Sequence, residues 1–207
     1  MHAEALIPKA AALFPKLAKF KNFYLVGGTA LALQIGHRIS VDFDMFSADP
    51  LSARLLPQIK KVFNGLAIKI TYGAPDQINL LIDGIKYTFF WYNYPLISKL
   101  ERYQGVSLAS VREIAAMKAF AIGKRLAYKD YVDWYFLLLD KHVRLTDAIN
   151  TAKKKFGHDF NDRLFLGQLA SMDDIPTQKI NFLGKDVGRL TIEQLIKKQI
   201  LALKMLK

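Results

Sequence analysis

Leu25-Val26-Gly27-Gly28-Thr29-Ala30-Leu31-Ala32-Leu33, followed by Gly36-His37-Arg38-Ile39-Ser40-Val41-Asp42-Phe43-Asp44-Met45-Phe46, decides how this chain is read. The apolar run 23–26 reads as a short buried strand that ends in a double glycine. Residues 29–35 are good helix formers and read as a helix opening just after it. Residues 41–46 alternate: Val41, Phe43 and Met45 fall on one face of a strand, Asp42, Asp44 and Phe46 on the other. A strand-to-helix turn built on glycine exposes backbone N–H groups at the positive end of a helix dipole, a seat for phosphate. Two aspartates on one strand face repel each other unless a cation lies between them or one is protonated. Magnesium suits them, since it takes oxygen ligands and is usually completed by water and substrate phosphates. Taken singly, each pattern has a plainer reading: Gly-Gly as a tight turn that avoids steric strain, Asp-x-Asp as a solvated strand edge. The apolar residues flanking the aspartates argue against the second.

Working outward, residues 3–20 carry apolar residues at helical spacing, with Pro8 and Pro15 placed to bend or divide the helix. Residues 51–63 read as an amphipathic helix with Ser52 as N-cap. Three strands are expected at 67–72, 77–82 and 85–91, the last two joined by an Asp83-Gly84 hairpin turn, with Tyr94-Pro95 ending the sheet. The pattern then turns helical: 110–126, opened by a Ser110/Glu113 capping box, then 129–139, 146–156, 162–170 and 191–206. The expected fold class is α/β (α+β), a mixed sheet with helices over residues 1–106 followed by a helical domain over residues 107–207, the two enclosing a cleft.

Bulk composition narrows the function. The chain has 207 residues, 52% hydrophobic and 23% charged, ordinary for a folded domain or two. Thirty Lys+Arg against 18 Asp+Glu give a net charge of +12, which favours an anionic partner. With no cysteine, disulfides, thiolate metal sites and a cysteine nucleophile are excluded. The four histidines, at 2, 37, 142 and 158, have no metal-ligand spacing. There is no signal-peptide order at the N-terminus and no apolar run near the roughly 20 residues a membrane span needs. A cytoplasmic protein without membrane attachment is expected.

Polar residues inside apolar helical segments form a second constellation: Lys118, Arg125, Lys129, Asp130 and Asp133. Asp130 and Asp133 are neighbours on one helix face. Lys118, among Ile114, Ala115, Met117 and Phe120, either snorkels to solvent or lines a cleft. Arg38 is placed to neutralise phosphate. His37 reads as a hydrogen-bonded structural residue, and Ser40 lacks a partner that would activate it as a nucleophile.

In that order these pieces resemble the signature of the AbiEii/AbiGii-type nucleotidyltransferase toxin family, within the polymerase-beta-like nucleotidyltransferase superfamily. The likeness rests on the Gly27-Gly28-Thr29 stretch, on Gly36-His37-Arg38-x-Ser40-x-Asp42-x-Asp44-x-Phe46, on Ala116-Met117-Lys118, and on Lys129-Asp130-x-x-Asp133-x-x-Phe136-Leu137-Leu138. It implies a nucleotidyltransferase-like fold, magnesium, and transfer of a nucleotide from an NTP to an acceptor, in some members the tRNA end. It also implies a toxin of a bacterial toxin–antitoxin or abortive-infection system, with a cognate antitoxin. Carried over, Gly27, Gly28 and Thr29 hold the triphosphate, Asp42 and Asp44 bind the metal, Lys118 contacts phosphate, and Asp130 is the later essential acid. Lys129 and Asp133 also match. Two departures stand out. Gly-Gly replaces the superfamily's usual Gly-Ser, and the strand expected to carry a third carboxylate, Ile85-Lys86-Tyr87-Thr88-Phe89-Phe90, has none, although Asp83 lies in its turn. The second departure keeps two alternatives open: a catalytically inactive nucleotide- or RNA-binding module, and transfer to protein hydroxyls.

Overall fold

The computed structural model describes residues 1–122, 124, 125 and 127–204, which form two compact units. The first comprises residues 1–95 and 99–110, the second residues 96–98 and 111–207.

The first unit is built on a seven-stranded mixed sheet. Its N-terminal segment is divided as the prolines require: 3-10 turns at Ala3–Ala5 and Phe14–Lys19 flank helix α1 (Pro8–Leu13), with Pro8 and Pro15 each at the start of an element. Strand β1 (Tyr24–Val26) leads into α2 (Gly27–Ile35), β2 (Phe43–Ser47) and α3 (Leu55–Val62). Strands β3 (Ile68–Ala74), β4 (Gln77–Ile82) and β5 (Ile85–Trp91) follow, then the short β6 (Glu101–Tyr103) and β7 (Val106–Leu108). The strand order is β3-β4-β5-β2-β1-β7-β6. Asp83 and Gly84 both take positive φ, 50° and 84°, as a two-residue hairpin turn demands.

Three local expectations give way to tertiary context. The sheet does not end at Tyr94-Pro95, because β7 pairs parallel with β1 and β6 closes a hairpin beyond it. Three-residue strands carry too little periodicity to be seen before their partner is known. Ser52 does not cap α3. Its hydroxyl accepts the Arg54 N–H at 3.2 Å in a preceding turn, and the helix opens at Leu55. Helix α2 begins at Gly27 itself, two residues earlier than the helix-forming residues suggest.

Strand alternation divides the sheet chemically. Phe43, Met45, Tyr87 and Phe89 are fully buried. Phe43 packs on Phe14 and Tyr87, Phe63 on Tyr87, and Phe20 on Phe89, all with ring centroids 5.0–6.0 Å apart. Asp44 and Phe46 of β2 are half-buried and belong to the other face.

The second unit is helical: α4 (Val111–Ile122), α5 (Tyr128–Leu139), α6 (Leu145–Phe156), α7 (Asp162–Ala170) and α8 (Arg189–Lys204). Gly123 and Leu126 of the expected helix 110–126, residues 205 and 206 of the expected helix 191–206, and residue 207 lie outside the described residues. Trp134, Tyr131 and Phe165 are fully buried, and the Tyr131 hydroxyl meets the Gln168 and Ser171 carbonyls at 2.9 and 3.1 Å. No helix among the described residues is long and apolar enough to cross a membrane.

Glu113 does not serve as the outward half of a capping box. It is fully buried, with Oε1 2.6 Å from Lys155 Nζ and Oε2 accepting the N–H groups of Ile97 and Ser98 at 3.1 and 3.0 Å. Burial pushes the Lys155 ammonium below its ordinary pKa, against the opposing pull of Glu113. Removing one partner strands a buried charge. Lys155→Met is therefore expected to lose about 3–5 kcal/mol in urea unfolding. A loss under about 1 kcal/mol would contradict the pairing.

Candidate active site

The site begins at the junction of β1 and α2. Val26, in extended conformation, is the N-cap, and Gly27 follows at φ 72°, a conformation side chains disfavour. The first N–H groups of a helix have no partner within it. The antiparallel register of β1 and β2 pairs Val26 with Asp44, which sets this carboxylate beside that helix start. A Cβ on Gly27 would fall 2.7 Å from Asp44 Oδ2, and one on Gly28 would strike the Arg38 guanidinium. The double glycine is thus a place where a carboxylate and a guanidinium both approach the backbone.

The connection from α2 to β2 is tied to the same helix. Thr29 is buried, and its hydroxyl donates to the Asp42 carbonyl while lying 2.8 Å from Ser40 Oγ. Arg38 is 5% exposed, and its Nη1 donates to the Ile39 carbonyl at 3.2 Å. His37 is buried. Asp42 and Asp44 are half-buried, and Asp42 lies one residue before the strand rather than within it. Gly27, Gly28, Thr29, Arg38, Ser40, Asp42 and Asp44 therefore come from two elements and one connection, joined by hydrogen bonds, close approach and strand register.

The departure from the superfamily pattern now has a place. Strand β5 runs parallel to β2, and the residue in register with Asp44 is Thr88, itself paired with Asn79 of β4. The sheet thus presents a row of amide, hydroxyl and carboxylate. Asp83 is committed to Lys9 at 2.9 Å in the hairpin turn. Among the described residues there is no group of three or more His, Asp or Glu that could hold a metal. The donor set offered by the chain is the pair Asp42 and Asp44. One or two carboxylates completed by substrate phosphates is a usual arrangement for magnesium. The closeness of Asp44 to a helix start that suits phosphate makes this pair fit such an ion.

The second unit holds the later motif. Lys118 Nζ lies between Asp130 Oδ1 at 2.8 Å and Asp133 Oδ2 at 2.5 Å, all three side chains buried. The three-residue spacing on α5 places Asp130 and Asp133 on one helix face; the lysine of α4 that they share is a tertiary contact. Lys118 does not snorkel to solvent: its ammonium is held between two buried carboxylates. Arg125 completes the cluster, with Nε 3.1 Å from Asp130 Oδ2 and its side chain 58% exposed. Burial works to raise the Asp130 pKa, but the Lys118 and Arg125 charges outweigh it and hold the carboxyl below its ordinary value. The sequence singles out Arg125 as a polar residue in an apolar segment but gives no sign that Asp130 fixes it. Nor does it mark Thr88 and Asn79, whose significance is positional.

Comparison with known proteins gives this geometry a context. Residues 11–98 match the model of the family described as Nucleotidyl transferase AbiEii toxin, Type IV TA system. An uncharacterized protein of Aquifex aeolicus (strain VF5) is 39% identical over 140 residues, 65% of this chain and 66% of that protein's length. Among solved structures, MenT4, a nucleotidyltransferase toxin from Mycobacterium tuberculosis H37Rv, superposes with a TM-score of 0.52 at 16% identity, over all of this chain and 88% of that one. JHP933 from Helicobacter pylori superposes with a TM-score of 0.52 at 17% identity, over 97% of this chain and 99% of that one. At these identities the structural likeness establishes the fold, which is nucleotidyltransferase-like.

Two expectations follow. Gly28→Ala forces Arg38 aside and is expected to cost about 1–3 kcal/mol of stability, with most of that cost gone in an Arg38→Ala background. Equal costs in both backgrounds, in a urea double-mutant cycle, would contradict the close approach. For Asp130, a pKa lowered on folding means its stabilisation is present above the ordinary carboxylate range and is lost as pH falls through it. The stability gap between wild type and Asp130→Asn should shrink as pH is lowered from about 6 to about 3. A gap that stays constant or widens would oppose this account.

Proposed function

We propose that this chain is a metal-dependent nucleotidyltransferase that moves a nucleotide from an NTP to an acceptor RNA, with a tRNA 3′ end as the favoured acceptor. The observation that carries this reading is the approach of Asp44 and Arg38 to the Gly27-Gly28 start of α2. The family match over residues 11–98 supports the reaction class, and the +12 charge suits a polyanionic acceptor. The toxin–antitoxin setting of that family adds a cognate antitoxin as a proposed partner.

In this reading the N–H groups of Gly27 and Gly28 hold the triphosphate at the positive end of α2. Arg38, beside Gly28, offsets phosphate charge. Thr29 acts by fixing the connection that carries Asp42. An acceptor hydroxyl oxygen attacks the α-phosphorus, the bond to pyrophosphate breaks, and the hydroxyl proton is released. Asp42 and Asp44 would hold a magnesium ion, which would supply Lewis-acid stabilisation of the charge that grows on the phosphoryl oxygens. Lys118 and Asp130 belong to the proposed catalytic set as a built ion cluster. Asp130 holds the exposed Arg125 guanidinium, whose remaining N–H groups can bind phosphate.

The lack of a carboxylate on β5, whose Thr88 is in register with Asp44, gives the inactive-module alternative its footing. One experiment separates the readings. Wild type and Asp44→Asn are incubated with magnesium, each α-labelled NTP and total RNA, and thermal unfolding is followed in parallel. The expected result is labelled RNA and stoichiometric pyrophosphate from wild type, a loss of at least about 100-fold in Asp44→Asn, and matched melting. Labelling of RNA by the variant at the wild-type rate would refute the metal role. Binding of NTP without turnover on any RNA would favour the module, and label on the protein itself would favour transfer to protein hydroxyls.

A further inference from the structure

We propose that a basic strip on the first unit, at the end of the sheet away from Asp44, docks the backbone of a single-stranded RNA segment. Three adjoining hollows define it. One is lined by Lys19, Lys21 and Arg54, with Asp49 as its only acid. The next shares Lys19 and adds Lys16 and Lys61. The third shares Lys21 and adds Arg102. Six cations thus form one run, with Lys19 and Lys21 as its links.

The strip is both accessible and fixed. Lys19, Lys21, Arg54, Lys61 and Arg102 are exposed, and none is paired with a carboxylate among the described residues. The backbone beneath them is held in place. Gln58 Nε2 donates to the Lys19 carbonyl at 2.9 Å, and Lys16 Nζ to the Val62 carbonyl at 3.3 Å. Six like charges with a single acid repel one another, a cost that an anionic partner would remove.

The form of the strip selects the partner. A small anion needs one hollow, whereas cations spread over three adjoining hollows suit a chain of phosphates. Half-exposed Phe23 lines two of the three hollows, and Asn22 stands beside it in one. A charged groove with an aromatic side chain on which a base can stack is how single strands are commonly bound. Phe23 precedes β1 by one residue, while Asp44 pairs with Val26 at the strand's other end. The strip therefore lies about 10 Å along the strand from the carboxylate, three residues at roughly 3.3 Å each. That spacing lets it grip an acceptor at a distance from its reacting end. The choice of RNA over another polyanion rests on the transferase reading; the strip does not.

The test is fluorescence anisotropy with a labelled single-stranded RNA over a range of salt. Full-length wild type is compared with Lys19→Glu/Lys21→Glu/Lys61→Glu. Lys154→Glu/Lys197→Glu/Lys198→Glu serves as control, changing net charge equally at exposed positions of the second unit. The strip variant is expected to bind at least tenfold more weakly, with the slope of log K against log salt reduced by about 2, as loss of three phosphate contacts predicts. The control should stay close to wild type in both respects. Phe23→Leu is expected to weaken binding without changing the slope. Equal weakening by strip and control variants, in proteins that melt alike, would overturn the proposal, as would competition by polyaspartate as effective as that by unlabelled RNA. Strip-dependent RNA binding in a protein that transfers no nucleotide would sink the transferase reading and leave the strip standing. Transfer to RNA that is unaffected by the strip variant at limiting RNA would do the reverse.

Discussion

The antiparallel register of β1 and β2 is the constraint on which the site depends. By pairing Val26 with Asp44, it presents a carboxylate to the first residue of α2. A slip of one residue would turn Asp44 to the core face and bring Phe43 or Met45 out of it. The buried aromatics Phe43, Tyr87 and Phe89 therefore hold Asp44 in place indirectly, because burying them favours this register. Glycine at 27 and 28 is the other half of this constraint: a carboxylate and a guanidinium occupy the space that side chains would need.

Much of this was legible in the chain because it was written locally. The strand–glycine–helix order, the two-residue spacing of Asp42 and Asp44, the Asp83-Gly84 turn and the division of the N-terminal helix by Pro8 and Pro15 each follow from short-range stereochemistry. The shared helix face of Asp130 and Asp133 and the apolar setting of Lys118 were also legible, though not that the three meet. What escaped was decided over long range. Strands β6 and β7 are three residues each, and β7 exists as a strand by pairing with β1, more than 80 residues earlier in the chain. Glu113 fits a capping box by its spacing from Ser110, yet its partners are Lys155, 42 residues on, and the backbone at 97 and 98. Ser52 fits an N-cap by type, but it closes a turn before the helix begins.

The two units organise charge in different ways. The second holds ionic clusters inside, where Lys118 is paired with Asp130 and Asp133, and Lys155 with Glu113. The first carries unpaired cations in the open along one end of its sheet and keeps two half-buried carboxylates at the other. An anionic chain and a metal-bound triphosphate have different electrostatic needs, and this unit separates the groups that would meet them. Thr88, in register with Asp44, leaves the donor set at two carboxylates, so the substrate's own phosphates would have to complete any coordination shell.

The central claim is that Asp42, Asp44 and the Gly27-Gly28 backbone form one NTP–metal site. A crystal structure with a non-hydrolysable NTP analogue and manganese, with anomalous data at the manganese edge, tests it most directly. The account predicts an anomalous peak within coordination distance of the Asp42 and Asp44 carboxylates, and a triphosphate accepting the N–H groups of Gly27 and Gly28. A triphosphate bound elsewhere, or a manganese peak with neither aspartate as a ligand, would contradict it.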